Sequence, residues 1–320
     1  MLRRAIFCAF VKEVFSMDMT PVLTQMGILV FIMAVGFLCT KLGVTGSEFT
    51  RSASKIVMNV LLVFTIFSSV ASAQIDLSLA DVGIDVLAFF VMVFISALVG
   101  WVLPRLIGIK GEHRGIAAFA LCFTNTAFVG FPVANSIFGA EGMLIATISN
   151  VPFNLLVYTM GLAMISGSMK SMNAKSAISA PLVSTVIAVA WFLTGWELPA
   201  PVVQCFDIIG SATVPMSMLV VGASLGGMSA KAALGDWRVY VLSLVRLIAI
   251  PVLTWLIFKP FVHDELLLGV TVILSACPSA MLATVLAIQS GRDETYASQC
   301  VFVSTVLSAA TIPLVVWLLL

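Results

Sequence analysis

Thr124-Asn125-Thr126, followed by Gly130-Phe131-Pro132, interrupts an apolar stretch that otherwise reads as a membrane-spanning helix. Cys277-Pro278-Ser279 interrupts a second such stretch late in the chain. A helix that stops and restarts inside a bilayer leaves backbone N–H and C=O groups that lipid cannot satisfy. Breaks of this kind persist only where protein or a water-filled cavity surrounds them. Paired breaks at corresponding places in two halves of a chain point to the binding site of a transporter.

The composition agrees with a bilayer setting. Of 320 residues, 61% are hydrophobic and 10% charged, and the mean hydropathy is +1.16. A soluble domain carries about a quarter charged residues, so the chain reads as an all-α integral membrane protein. The net charge of +1 leaves no basic footprint for nucleic acid. Cys8, Cys39, Cys122, Cys205, Cys277 and Cys300 are scattered without ligand-like spacing. They read as small apolar packing residues rather than metal ligands or disulfide partners. His113 and His263 both fall in predicted loops. With no Ser-His pair, paired Asp or zinc-binding set at membrane depth, neither a catalytic site nor a cofactor or metal is expected.

Ten apolar segments approach the roughly 20 residues that a bilayer requires: 21–40, 52–73, 83–103, 115–138, 143–166, 177–196, 208–227, 237–258, 265–288 and 295–319. Trp101, Trp191, Trp196, Trp237, Trp255 and Trp317 fall near their ends, as an interfacial belt requires. If the first segment runs inward, the inner loops hold eleven Lys and Arg and the outer segments four (Arg3, Arg4, Lys12 and Lys259). That asymmetry places both termini outside the cytoplasm of a cell with a multi-pass protein in its inner membrane. Arg3, Arg4 and Lys12 oppose it. A start at Met17 or Met19 removes them, or residues 1–20 form an N-terminal extension with a short amphipathic segment, too charged outside Ala5–Val11 for a signal-peptide core.

The polar linker 167–176 divides the segments five and five, giving a first repeat at 21–166 and a second at 177–320. Five is odd, so the second repeat enters the membrane upside down. In each half the fourth segment is the broken one and a short polar turn follows it. Thr126 precedes Gly139 by 13 residues, and Pro278 precedes Gly291 by 13. The expected fold is therefore ten transmembrane helices in two inverted five-helix repeats, with broken, crossed fourth and ninth helices.

The breaks suggest a chemistry. Pro278 lacks an N–H and ends the incoming helix, and it suits the first position of a new one that begins near Ser279. Asn125 and Thr126 cap a helix starting there, and Gly130 and Pro132 loosen its first turns. Each half-helix N-terminus carries roughly half a positive charge, worth up to about 2 kcal/mol to a partly buried anion. Two that converge form an anion trap without Lys or Arg. Glu141, Asp264, Glu265, Asp293 and Glu294 lie at segment ends, so the crossing segments hold no carboxylate at depth. A cation exchanger would place one there. The substrate expected is an anion, a carboxylate foremost.

Asn150, Asn154 and Tyr158 share one helical face, with Pro152 between the asparagines. Their amides either line the cavity or bond neighbouring helices. Asn59 and Ser217, the latter with Ser224 on its helix, are weaker candidates of the same kind. Arg246 is the one charge well inside a segment. It snorkels, bonds backbone carbonyls as a structural residue, or acts in gating or on substrate.

Four motifs carry a resemblance. FTNTAFVGFP at 123–132, VPMSMLVVGASL at 214–225, RLIAIP at 246–251 and SACPSAM at 275–281 are similar to motifs of the auxin efflux carrier family, which includes bacterial transporters and the plant PIN proteins. The resemblance implies two inverted five-helix repeats, a scaffold and a moving unit, and export or uptake of organic anions such as malate, malonate or auxin-like acids. By it, Asn125 matches a substrate-contacting Asn, and Pro278 matches the crossover proline. Plant members often have Pro where this chain has Thr124, and many relatives have Pro near Val63. The short 167–176 linker fits a bacterial-type member. A secondary transporter working by alternating access is the expectation, with a non-transporting sensor or a channel as alternatives. Partners are the anion, the bilayer and, as a candidate, a second copy of the chain.

Overall fold

The computed structural model describes residues 20–72, 79–168, 180–196, 198–227, 236–262 and 264–320. Residues 1–19 and most of the 167–176 linker, on which two expectations fall, lie outside them. Among the described residues the regular structure is helical, apart from a single isolated bridge.

The chain runs through α1 (Thr20–Lys41), α2 (47–72), α3 (Leu79–Leu106), α4 (His113–Cys122), α5 (126–138), α6 (140–166), α7 (Ala180–Phe192), α8 (Ala200–Ser211), α9 (Thr213–Gly227), α10 (Trp237–Phe258), α11 (Glu265–Ala276), α12 (Leu282–Gln289) and α13 (Glu294–Leu319). Among the described residues, six stretches are long and apolar enough to cross a membrane, and shorter apolar helices accompany them. One of the six, Thr126–Phe153, is not a single rod. Gly139 leaves the helix with φ 65° and ψ −153° and separates α5 from α6. That left-handed region strains any residue with a Cβ. Gly291, with φ 61°, holds the turn between α12 and α13. Where helices start near water, Asp236, Asp264 and Asp293 cap α10, α11 and α13 by accepting backbone N–H groups.

Packing sorts the helices into two groups. In the first, α1 lies along α9, and α2 packs on α7 and α8. In the second, α3 packs on α4, α6, α10 and α11, while α13 packs on α4, α10 and α12. The second group encloses a core built around Phe119, Phe123, Phe153, Val157 and Ala283. A separate cluster joins the groups, with Val57, Leu62 and Val221 meeting Phe128, Phe131 and Met143.

Small residues let α1 and α9 touch backbone to backbone. A Cβ on Gly222 would lie 1.8 Å from the Met33 carbonyl oxygen, and one on Gly36 would lie 2.3 Å from that of Leu219. In a membrane such close approach replaces the hydrophobic drive as the source of helix association. Gly222→Val should therefore destabilise the protein by about 1–3 kcal/mol or more. The check is a lowered thermal transition and early aggregation in detergent, with Gly27→Val, whose position is open, as the neutral control.

Candidate functional site

The two breaks meet. Phe123 and Cys277 are extended (φ −105°, ψ 126° and φ −66°, ψ 151°), and Thr124 pairs with Ser279 in an antiparallel bridge. The Asn125 N–H donates to the Pro278 carbonyl at 2.8 Å, and the Ala280 N–H donates to the Phe123 carbonyl at 2.9 Å. Ser279 completes the joint. Its hydroxyl donates to the Ala120 carbonyl at 2.8 Å and its N–H donates to Ser304 Oγ at 3.1 Å. Backbone that would be orphaned in lipid is thus satisfied by the opposite break, which is the condition for non-helical chain at depth.

Asn125 is 4% exposed and caps α5. Its backbone carbonyl accepts from Val129 at 3.1 Å and Gly130 at 3.0 Å. That closes the π-helical turn at Thr126–Gly130, with Asn125 Oδ1 accepting from the Phe128 N–H at 3.4 Å. Gly130 is buried where a Cβ would lie 2.9 Å from Leu274 Cδ2, so it sets how closely α5 approaches α11. Pro132 is buried in the next turn.

A cavity of about 240 Å³ opens at the crossing, between the two helix groups. Ser54 and Met58 of α2 and Pro181 of α7 form one wall. Thr124, Asn125, Thr126, Asn150, Phe153, Tyr158 and the 280–282 turn form the other. The cavity's polar lining comes from Ser54, Thr124, Asn125, Thr126, Asn150 and Tyr158. Thr124 Oγ1, Asn125 Nδ2 and Thr126 Oγ1 are buried there without a hydrogen-bond partner among the described residues. The remaining lining, including Met58, Phe128, Phe153, Met281, Leu282 and Val285, is apolar or aromatic. Among the described residues, no Lys or Arg lines it.

The expected site residues divide. Asn125, Thr126 and Asn150 come together in this cavity. Pro278 and Ser279 form the joint behind it, and the second half-helix starts at Leu282. Asn59 is exposed on α2 and its amide donates to the Lys55 carbonyl at 2.9 Å, away from the cavity. Ser217 is fully buried on α9, outside the lining. The side chain of Asn154 lies outside the described set. Arg246 is 1% exposed. Its guanidinium sits within electrostatic reach of Cys122 and Cys277, at the C-terminal ends of α4 and α11. Those ends carry negative dipole charge, which favours a cation beside them.

A family model described as membrane transport protein matches residues 21–177 and 168–317. The chain belongs to the auxin efflux carrier family. Among curated relatives, an uncharacterized transporter of Methanothermobacter thermautotrophicus is 28% identical over 295 residues, covering 91% of this chain and 96% of its own. An uncharacterized transporter of Methanocaldococcus jannaschii is 26% identical over 304 residues, covering 92% and 97%. The carrier is thus a multi-pass membrane protein with a transport role.

Three features of the carrier went unread in the sequence. Ser54, Met58 and Pro181 reach the cavity from the other helix group. Asp85 of α3 is buried, and its Oδ1 accepts from Ser149 Oγ at 3.0 Å. His113, expected in a loop, is the first residue of α4. It stacks on Tyr296 with ring centroids 4.2 Å apart and pairs with Asp293 at 2.9 Å. Beside it Arg292 pairs with Glu112 at 3.6 Å and donates to the Ser166 carbonyl. This cluster ties the start of α4 to the α12–α13 turn. The Tyr296 N–H, and after it His113, hold the Asp293 carboxylate below the usual carboxylate range. As pH falls, the unfolded chain takes up this proton first. The stabilisation is therefore complete above about pH 4 and is lost below it. Asp293→Ala should lower stability by about 1 kcal/mol at neutral pH. The gap to wild type should close as unfolding curves are taken below pH 4.

Proposed function

We propose that this carrier moves small organic anions across the cytoplasmic membrane by alternating access, and that its preferred cargo is a monocarboxylate with an apolar body. The observation that carries the reading is the cavity's lining: unpartnered hydroxyl and amide groups of the 124–126 break in a lining that is otherwise mostly apolar and aromatic. A buried donor left without a partner costs about 1–3 kcal/mol, and a carboxylate oxygen supplies the acceptor. The apolar walls suit an aryl or branched alkyl body. A second carboxylate, as in malate or malonate, would be set against a lining that is mostly apolar and, among the described residues, without Lys or Arg.

The cavity lies where α2 and α7 face the crossing, so displacement of one helix group against the other would open it to alternate sides. Ten spans in two inverted five-helix repeats fit this arrangement. Each half has a break, then a turn held by a positive-φ glycine, then a long helix.

A thermal-shift panel on the purified protein tests the reading. Phenylacetate and similar monocarboxylates at about 100 times Kd should stabilise it by about 2.7 kcal/mol. Malonate and malate should do so far less at equal concentration. Stabilisation by amines or inorganic cations alone would end the anion reading. Flux of the same compounds into liposomes separates a carrier from a sensor, and saturation of that flux separates it from a channel.

A further inference from the structure

Asp85 is 3% exposed in the second turn of α3. One carboxyl oxygen accepts from Ser149 Oγ at 3.0 Å. The other is equally enclosed and has no partner among the described residues. Ser149 directly precedes Asn150, whose side chain lines the crossing cavity. Around them Val82 and Val86 pack with Ile66, Leu144 and Ile148. The charged groups on elements packed against α3 stand apart. α4 carries His113 and Arg114 in its first turn, which follows the far end of α3, and Glu141 lies eight residues before Ser149. At the end of α10, Lys259 lies over the Trp255 ring, 5.7 Å from its centroid. Asp264 and Glu265 begin α11. On α3 itself, Asp81 is one turn earlier, with its side chain outside the described set. An isolated ionised carboxylate in such surroundings is far more costly than the neutral acid.

We propose that Asp85 carries the proton that couples transport, making this protein a proton–carboxylate symporter. The proposal rests on the carboxylate reading of the cavity. The helix group that contains α3 already holds one buried cation, Arg246 on α10. With Arg246 charged, a protonated Asp85 and an empty cavity leave one net positive charge, which draws in a single carboxylate. With both proton and carboxylate bound, the buried charges sum to zero. They sum to zero again when both have left. The half-loaded forms keep an unpaired buried charge, and the bilayer interior penalises their passage. A proton thus joins the Asp85 carboxylate on one side and leaves it on the other, while one carboxylate anion crosses in the same direction. No net charge moves.

Full-length protein in liposomes, with phenylacetate as probe and protein-free liposomes as the leak control, gives two independent readouts. Infrared spectroscopy of the reconstituted protein should show the carbonyl band of a buried protonated carboxylic acid, absent in Asp85→Asn. Uptake by wild type should be electroneutral and stimulated about tenfold by a one-unit acid-outside gradient. Asp85→Asn should lose that stimulation and carry one negative charge per phenylacetate on a solid-supported membrane, and Asp85→Glu should restore coupling. If Asp85→Asn does not fold, Ser149→Ala keeps the carboxyl, and the band and the pH profile should both shift. Wild-type uptake that carries one negative charge per anion, equal acid stimulation in Asp85→Asn, or no Asp85-dependent band would overturn the proposal. A protein with the band that moves no carboxylate retains the proton site and loses the carboxylate reading instead.

Discussion

Asn125→Ala removes the stabilisation of this protein by phenylacetate while leaving the unliganded protein folded. The two effects separate because Asn125 does different work with its backbone and its side chain. The backbone N–H to the Pro278 carbonyl, and the backbone carbonyl that receives Val129 and Gly130, survive in alanine. The capping bond from the Phe128 N–H to Oδ1 is long at 3.4 Å, so its loss belongs at the low end of capping energies, about 0.5 kcal/mol. The amide nitrogen is buried without a protein partner among the described residues, and a bound carboxylate would accept from it. A hydrogen bond to a charged group is worth about 1.5–3 kcal/mol, so affinity should fall about 10- to 150-fold. N125D keeps the size and the capping oxygen but replaces the donor with an acceptor, so it should bind the anion more weakly still at neutral pH. Titration calorimetry in detergent reads both. Unchanged affinity in Asn125→Ala would place the anion elsewhere in the cavity.

The sequence made the two breaks legible because membrane physics leaves few ways to accommodate them. A polar tripeptide or a proline in the middle of an apolar helix has to be enclosed by protein, and two at matching distances from turn glycines have to be related. The partner of each break was not legible. Pro278 suits the first position of a helix, yet α12 begins only at Leu282. Residues 279 and 280 are drawn into pairing with Phe123 and Thr124, and no local signal announces a contact across more than 150 residues. The same blindness explains the asparagines. Asn59 and Asn125 are alike as residues, but α2 turns Asn59 out and folds its amide onto its own helix, whereas the break holds Asn125 in. Ser54, Met58 and Pro181 carry no chemistry that marks a site, and only the approach of the two helix groups makes them walls. Asp85 went unread altogether. Its meaning depends on Ser149, 64 residues away.

Arg246→Leu should abolish carboxylate uptake without lowering the melting temperature, and it should raise that temperature if leucine packs well. A residue kept for stability behaves the other way. The guanidinium is 1% exposed, and its three nitrogens have no hydrogen-bond partner among the described residues. What favours it is the negative end of two helices, each worth up to about 2 kcal/mol. Against that stands a desolvation penalty of several kcal/mol for a buried ion. The balance is near zero or unfavourable, so replacing the cation with an apolar side chain of similar reach is neutral or stabilising. Stability given up at a site for the sake of function has this signature. The charge is useful only when an anion arrives. At a separation on the order of 10 Å and an effective dielectric of about 20, the attraction is about 1.7 kcal/mol, or roughly 15-fold in affinity. Uptake should fall further than binding, because without the cation the loaded unit would carry an uncompensated negative charge across the bilayer. Arg246→Lys keeps the charge and should hold affinity within a few-fold of wild type. A large fall in melting temperature in Arg246→Leu, with unchanged affinity per folded molecule, would make Arg246 a structural residue and leave the attraction to the broken helices alone.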